Sequence, residues 1–439
     1  MTNLTRIKVV TKKGSFEGVH ITDVVKGKRK FLILKLDNGY NIGIDYDNIK
    51  EKKVIKDLKQ KQNRKTKKET KHKEFDSSIF ILHTGGTIAS RVDYETGAVK
   101  ALFNPEDIIE LFPEILGDYT IKSKLLSNIF SEDFTFKVYN LIIKEIESLV
   151  KSKENIRGVI LTHGTDTLHY TSAALKFSLQ GLPFPIVIVG SQRSSDRPST
   201  DARLNLVSAV NFINYAYENN LKPDVFVCMH ASINDDSAYI FDGFNVRKMH
   251  TSRRDAFKQI NDEPLAKVLI DGSVKIINDK LKSKPKEKDE FKAQYYDESL
   301  KIGILYSHPN LLPEEILAFK EFDGLIIAGT GLGHLGINVS KEVDNSKNLE
   351  ALKQLIKNKT IVAVAPQTIN GRINLNVYST GRMLKEIGVL GNLCDMTIET
   401  AFVKLAYLLS NYDTEKIKQL YEENLFGEIN DRSKYLKEF

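Results

Sequence analysis

The sequence predicts a doubly wound parallel α/β domain, a smaller C-terminal α/β domain after it, and a small all-β module in front. Short apolar runs carry the first part of that reading: FILHT, GVILTHG, PIVIVGSQ and DVFVCMH have the composition of strands buried on both faces. Between the first two, FKVYNLIIKEIESLV (136–150) places apolar residues at 138, 141, 142, 146, 149 and 150, the period of an amphipathic helix. The N-terminus follows a different rule. RIKVVTKKGSFEGVHITDV and KFLILKLDNGYNIGIDYDNI alternate apolar and polar residues, with turns signalled by Lys-Gly and by Asn38-Gly39. Residues 1–50 therefore read as a small barrel of SH3 or Sm type.

The remaining boundaries follow from changes in composition. Residues 51–76 read as a basic linker, because EKKVIKDLKQKQNRKTKKETKHKE has nothing from which to build a core. This stretch holds eleven Lys/Arg against four acids, as large an excess as the whole chain's +7. Such localised charge suits either a solvated tether or a contribution to binding a polyanion such as RNA. Residues 77–277 form the larger α/β domain and 278–300, with NDKLKSKPKEKDEFK, a charged linker. The runs KIGILYSH, GLIIAGTG and TIVAVAPQ open the smaller domain, 301–439.

Composition excludes several classes. At 439 residues the chain exceeds what one core usually supports, and its 41% hydrophobic and 28% charged residues are those of a globular protein. Apolar stretches stay well short of the roughly 20 residues that span a bilayer, so no membrane role is expected. The N-terminus lacks the apolar core of a signal peptide. Two isolated cysteines, Cys228 and Cys394, point to a reducing cytoplasm and to small core side chains rather than a disulfide framework or metal cluster. The nine histidines show no ligand spacing, so no metal site is expected; His83 and His163 read as residues lining strand ends. GLGHLG (331–336) satisfies a dinucleotide-type spacing but is read as a glycine-rich connection. A phosphate-binding Gly-Lys-Ser/Thr motif is absent, so ATP chemistry is not expected in this chain.

Chemistry is expected where strands end. TGGT (84–87), THGTDT (162–167) and GSQR (190–193) each follow an apolar run, and in a doubly wound sheet all three face one crevice. Glycine and threonine are ordinary turn formers, yet two such strand ends in one sheet suggest a site. A threonine hydroxyl needs a base to become a nucleophile. Asp166 beside Thr165 would orient a cation, a desolvated lysine near that pair would serve as base, and main-chain N–H groups at Gly85 and Gly86 would stabilise an oxyanion. Together these parts suit acyl transfer from an amide or ester. Which of Thr87 and Thr165 attacks stays open on the residues alone.

TGGTIAS with HGTDT resembles the paired signatures of the L-asparaginase/glutaminase family, over roughly residues 77–425. The resemblance implies an asparaginase-like fold, with Thr87 as nucleophile and Thr165 and Asp166 as its partners. It implies Lys248 as the lysine of the G-x-x-V-x-K stretch, which reads GFNVRK (243–248) here. Substrate would be held by Ser131 and Glu132, where the family has S-Q-D and this chain has S-E-D, with the backbones of Gly86 and Gly164. The family's loop tyrosine has no clear counterpart in RVDYETGAVKA, although Tyr94 lies there.

The first 75 residues, the GSQRSSDRPSTDA stretch and the ENLFGEINDRS tail are similar to the D subunits of archaeal glutamyl-tRNA(Gln) amidotransferases. That resemblance implies glutamine, or asparagine, as amide donor and ammonia passed to a GatE-type partner subunit. The partner would bind Glu-tRNA(Gln) and use ATP and Mg2+; no cofactor would reside in this chain. A dimer through the asparaginase-like domains is also implied. Two other readings compete: a free-standing cytoplasmic L-asparaginase with an accessory module, and an RNA-binding protein on an inactive hydrolase fold.

Overall fold

The computed structural model describes residues 5–12, 14–27, 29–36, 41–57, 75–86, 90–92, 99–101, 108–109, 112–193, 200–283 and 290–436. At the N-terminus, antiparallel strands Thr5–Thr11, Gly14–Lys26, Arg29–Leu36, Asn41–Asp45 and Ile49–Asp57 form one sheet in which the last returns beside the first. Ile7, Val9, Leu32, Leu34 and Ile44 are buried against one another, with Phe16 and Ile49 alongside, so the sheet folds over a core of its own. The last strand corrects the expected boundary at residue 50, since residues 51–57 are strand and not linker. Strands pair through their backbones, and its lysines, exposed at 50, 52 and 53, hide that pairing from a composition-based reading. The rest of the expected linker, 58–74, lies outside the described residues.

The main body is organised by an eight-stranded sheet in the order Val274–Ile276, Ala266–Leu269, Ser237–Asp242, Val225–His230, Ile186–Val189, Ile156–Thr162, Ser78–His83, Thr120–Leu125. The last five are parallel, as expected. The other three are antiparallel, which the sequence reading missed. Only residues 231–236 separate Val225–His230 from Ser237–Asp242, too few for a parallel crossover, so the chain turns back as a hairpin.

Side chains alternate between the two faces of the parallel strands. Leu82, Val159, Leu161, Ile186 and Ile188 enter one core, and Ile79, Ile81, Ile160, Val187 and Val189 the other. Helices Phe136–Lys151 and Leu168–Ser178 cover the first face and Ala202–Glu218 the second. In Phe136–Lys151 the stripe against the sheet is Tyr139, Ile142, Ile143, Ile146 and Leu149, while Leu141 faces solvent. The helical period was legible, but the buried face is rotated slightly from the expected set.

From Ser78–His83 the chain passes to Thr120–Leu125 on one side and then to Ile156–Thr162 on the other. Strand order thus reverses between Ser78–His83 and Ile156–Thr162, and a crevice opens beyond their carboxyl ends. A hairpin, Ser90–Val92 with Val99–Ala101, follows the first of these ends. Tyr94 lies outside the described residues.

The C-terminal half has a three-stranded parallel sheet, Ile302–Tyr306, Gly324–Gly329 and Ile361–Pro366. One face of that sheet has its own core, while Ile326, Ala328, Ile361, Ala363 and Ala365 on the other share the main body's. Helix Ile398–Asn411 lies in this shared core, burying Ala401, Val403, Leu405, Ala406, Tyr407 and Leu408, and Tyr407 stacks on Phe177 of the neighbouring helix at 5.4 Å. The segment expected as a charged linker is also tied down. Leu281 and Tyr296 are buried and Lys292–Ala293 pairs with Leu179–Gln180; residues 284–289 lie outside the described set.

The tail is fixed by a wholly buried ion pair. Lys404 Nζ meets Glu428 Oε1 at 2.6 Å, both side chains are inaccessible to solvent, and the carboxylate also accepts from the N–H groups of Leu425 and Phe426. Removing one partner strands the other charge in the core. Lys404→Met should therefore lower unfolding free energy by about 3–5 kcal/mol in a urea titration, and Lys404→Met with Glu428→Gln by clearly less. Equal losses in both variants would show that lost packing, not the orphaned carboxylate, matters.

Candidate active site

Two of the three expected strand ends touch at the crevice. Gly86 has φ +83°, and a Cβ there would lie 2.7 Å from the Gly164 nitrogen and 2.9 Å from the His163 carbonyl carbon. Only glycine permits that approach. On its other side Gly164 meets Ser131, where an added Cβ would sit 2.9 Å from both Cβ and Oγ. The link is reinforced by Thr167, whose hydroxyl donates to the Ser131 carbonyl at 2.6 Å. Ser131 is buried at the head of a short 3-10 turn, and Glu132 follows it, exposed. Gly86, Gly164 and Ser131 thus meet at one point, with Glu132 next to Ser131 in the chain. Thr87 lies outside the described residues.

Lys248 ends the short strand Val246–Lys248, which pairs with Phe257–Gln259. Its Nζ donates to Thr165 Oγ1 and to Asp166 Oδ1, at 2.8 Å each. The lysine side chain is 9% exposed and the aspartate 64%, so the carboxylate stands at the mouth and the lysine behind it. The C-terminal half holds this strand in place. Asn245, at φ +54°, donates its backbone N–H to Thr400 Oγ1 and its Nδ2 to the Glu428 carbonyl, and its Oδ1 accepts from the Thr397 N–H. Arg247 pairs with Glu399 at 3.2 Å. Burial pushes the Glu399 carboxyl up, but the His169 hydrogen bond and the charges of His169 and Arg247 outweigh it and hold the group below its ordinary range.

The third strand end, 190–193, packs on the same group: a Cβ on Gly190 would lie 2.8 Å from Thr165 Cγ2. It is anchored by Asp201, fully buried, whose carboxylate accepts from the N–H groups of Gln192 and Arg193 at 2.9 Å and from Ser191 Oγ at 3.1 Å. Sequence reasoning singled out neither Asp201 nor Asn245. A carboxylate just before a helix and an asparagine within a glycine-led turn were the available signals, and neither names its partners.

The two histidines expected at strand ends are there. His163 is fully buried against Phe134 at 4.5 Å between ring centroids, and burial pushes its pKa down to about 4. As a neutral ring its Nδ1 donates to the Gly164 carbonyl at 2.6 Å and its Nε2 accepts from Thr171 Oγ1 at 2.8 Å, which fixes the turn carrying Thr165. His83 Nδ1 lies 3.0 Å from Thr162 Oγ1. Among the described residues no group of three or more His, Cys, Asp or Glu is arranged to hold a metal ion. GLGHLG forms a turn closed by Thr330 and His334, with Gly333 against Ile373, and the next helix begins only at Ser346. The glycines therefore do not open a helix, as a dinucleotide fingerprint requires.

Known proteins match this architecture part by part. Residues 78–282 match the asparaginase N-terminal family, 301–421 the glutaminase/asparaginase C-terminal domain, and 1–55 the GatD N-terminal domain. The thermostable L-asparaginase from Thermococcus kodakarensis superposes with a TM-score of 0.69 at 28% identity, covering 81% of this chain and 100% of its own. L-asparaginase I from Vibrio cholerae gives 0.65 at 26%, covering 80% and 99%. The D subunit of glutamyl-tRNA(Gln) amidotransferase from Saccharolobus islandicus is 42% identical over 96% of this chain and 92% of its own. Its counterpart from Thermococcus kodakarensis is 39% identical over 98% and 94%. The chain, an amidohydrolase of asparaginase type with an added N-terminal sheet, belongs to the family of glutamyl-tRNA(Gln) amidotransferase D subunits.

Proposed function

We propose that this chain hydrolyses glutamine and supplies the ammonia to a GatE-type partner subunit, which converts Glu-tRNA(Gln) to Gln-tRNA(Gln). The observation that carries the hydrolytic half is the fork of Lys248 Nζ onto Thr165 Oγ1 and Asp166 Oδ1, beside the meeting of Gly86, Gly164 and Ser131. Thr87 directly follows Gly86 in sequence and supplies the nucleophile. Its hydroxyl oxygen bonds to the γ-amide carbon as its proton passes to the Thr165–Lys248 pair. That proton then goes to the amide nitrogen, the C–N bond breaks and ammonia leaves an acyl-Thr87 ester. Water, deprotonated by the same pair, releases glutamate and restores the hydroxyl. Asp166 orients the lysine, Ser131 and Glu132 hold the amino-acid end of the substrate, and main-chain N–H groups at the glycines meet the oxyanion. ATP and Mg2+ act at the partner, where the glutamyl carboxyl is activated.

The alternative of a free-standing L-asparaginase is less well supported. In one organism, Thermococcus kodakarensis, the L-asparaginase is 28% identical to this chain and the amidotransferase's own chain 39%, over a longer span. The N-terminal match over residues 1–55 likewise favours the amidotransferase role.

Thr87→Ala in the assembled complex should abolish glutamine-dependent formation of Gln-tRNA(Gln) while leaving amidation by free ammonium salts at the parental rate; loss of both would contradict the division of labour. Lys248 is tested by two replacements. Lys248→Met should lower kcat for glutamine hydrolysis by at least about 100-fold, and Lys248→Arg should not restore it, because guanidinium keeps its proton. Recovery in the arginine variant would make Lys248 a fixed charge rather than a base.

A further inference from the structure

We infer that His230 is a positioning residue for glutamine hydrolysis: with Asn205 and Asp235 it ties the strand end packed on Thr165 to the hairpin that carries Lys248. The inference rests on the glutaminase reading above and deepens it. His230 closes the strand Val225–His230 and is fully buried. Its Nδ1 lies 2.6 Å from Asn205 Oδ1 and its Nε2 lies 3.1 Å from Asp235 Oδ1.

The orientation of Asn205 follows from its other bond. Its Nδ2 donates to the Gly190 carbonyl at 3.0 Å, so Oδ1 must face the imidazole and Nδ1–H donates. Gly190 is the residue packed on Thr165. On the far side Asp235 also accepts from Arg254, which additionally donates to the Ile233 carbonyl. Arg254 lies in the connection between Val246–Lys248 and Phe257–Gln259, six residues beyond Lys248. Lys248 Nζ returns to Thr165 Oγ1, and the circuit closes.

Four polar residues that touch none of the proposed reacting atoms thus close a circuit through the lysine–threonine pair, made of hydrogen bonds, the packing of Gly190 on Thr165 and the backbone from Lys248 to Arg254. With Nδ1–H given to Asn205, Nε2 bonds Asp235 only as the second N–H of the doubly protonated ring, a form that burial opposes and the Asp235 carboxylate favours. The circuit fixes the spacing between the strand end at 190–193 and the hairpin that carries Lys248, and small errors in such spacing lower rate more than binding.

The test is steady-state glutamine hydrolysis by the complex with its partner subunit. Asp235 is 61% exposed, so Asp235→Ala leaves the fold intact. It should lower kcat about tenfold with KM for glutamine within twofold, and Asp235→Asn, which keeps an acceptor, should recover most of that loss. His230→Asn should lower kcat similarly, and the double variant His230→Asn, Asp235→Ala should be no slower than the slower single one, since both break one circuit. Ammonia-dependent amidation should be unchanged throughout. A wild-type kcat in Asp235→Ala, or multiplicative losses in the double variant, would overturn the inference. Should His230→Asn fail to fold, Arg254→Gln takes its place with the same expectations. Active Lys248→Met would sink the catalytic reading itself, whereas an inactive Lys248→Met beside an unaffected Asp235→Ala would sink only this inference.

Discussion

The contact between Gly86 and Gly164 sets the spacing from which the site is built. Two parallel strands run side by side and end together, and their turns then approach until no side chain fits between them. That approach aligns the backbone leading to Thr87 with the turn that presents Thr165 and Asp166. Ser131 closes the other side of Gly164, so three segments distant in sequence share one point. A methyl group at either glycine would push them apart, which is why the two boxes are rich in glycine as well as in hydroxyls.

Lysine delivery is the second constraint, and the C-terminal half meets it. Lys248 belongs to the main body by sequence, yet its strand is held by Thr397, Glu399, Thr400 and the Glu428 carbonyl. Glu428 is itself locked by Lys404 in a core shared by both halves. The smaller domain therefore holds the strand that carries Lys248, by fixing its turn through Asn245. Strain at that asparagine is modest, because its side chain tolerates positive φ and here makes two bonds in return.

The parts legible in the sequence are those whose physics is local. Apolar runs announced the parallel strands, a helical period announced Phe136–Lys151, and glycine–threonine turns marked the strand ends. What escaped were pairings that no side-chain pattern announces. The antiparallel edge strands depend on where a short connection folds, the lysine-rich Ile49–Asp57 pairs by backbone alone, and Asp201 and Asn245 find partners that no local pattern names. Lys248 was reached by family resemblance and not by spacing, since 83 residues separate it from Thr165.

The proposed function gives amide cleavage to Thr87 and the proton work to Thr165 with Lys248. Trapping with an electrophilic glutamine analogue, followed by peptide mass spectrometry, tests that assignment most directly. The predicted result is a single covalent adduct on Thr87, formed at least about 100-fold more slowly in Lys248→Met. An adduct on Thr165, or labelling of Thr87 at full rate without the lysine, would contradict it.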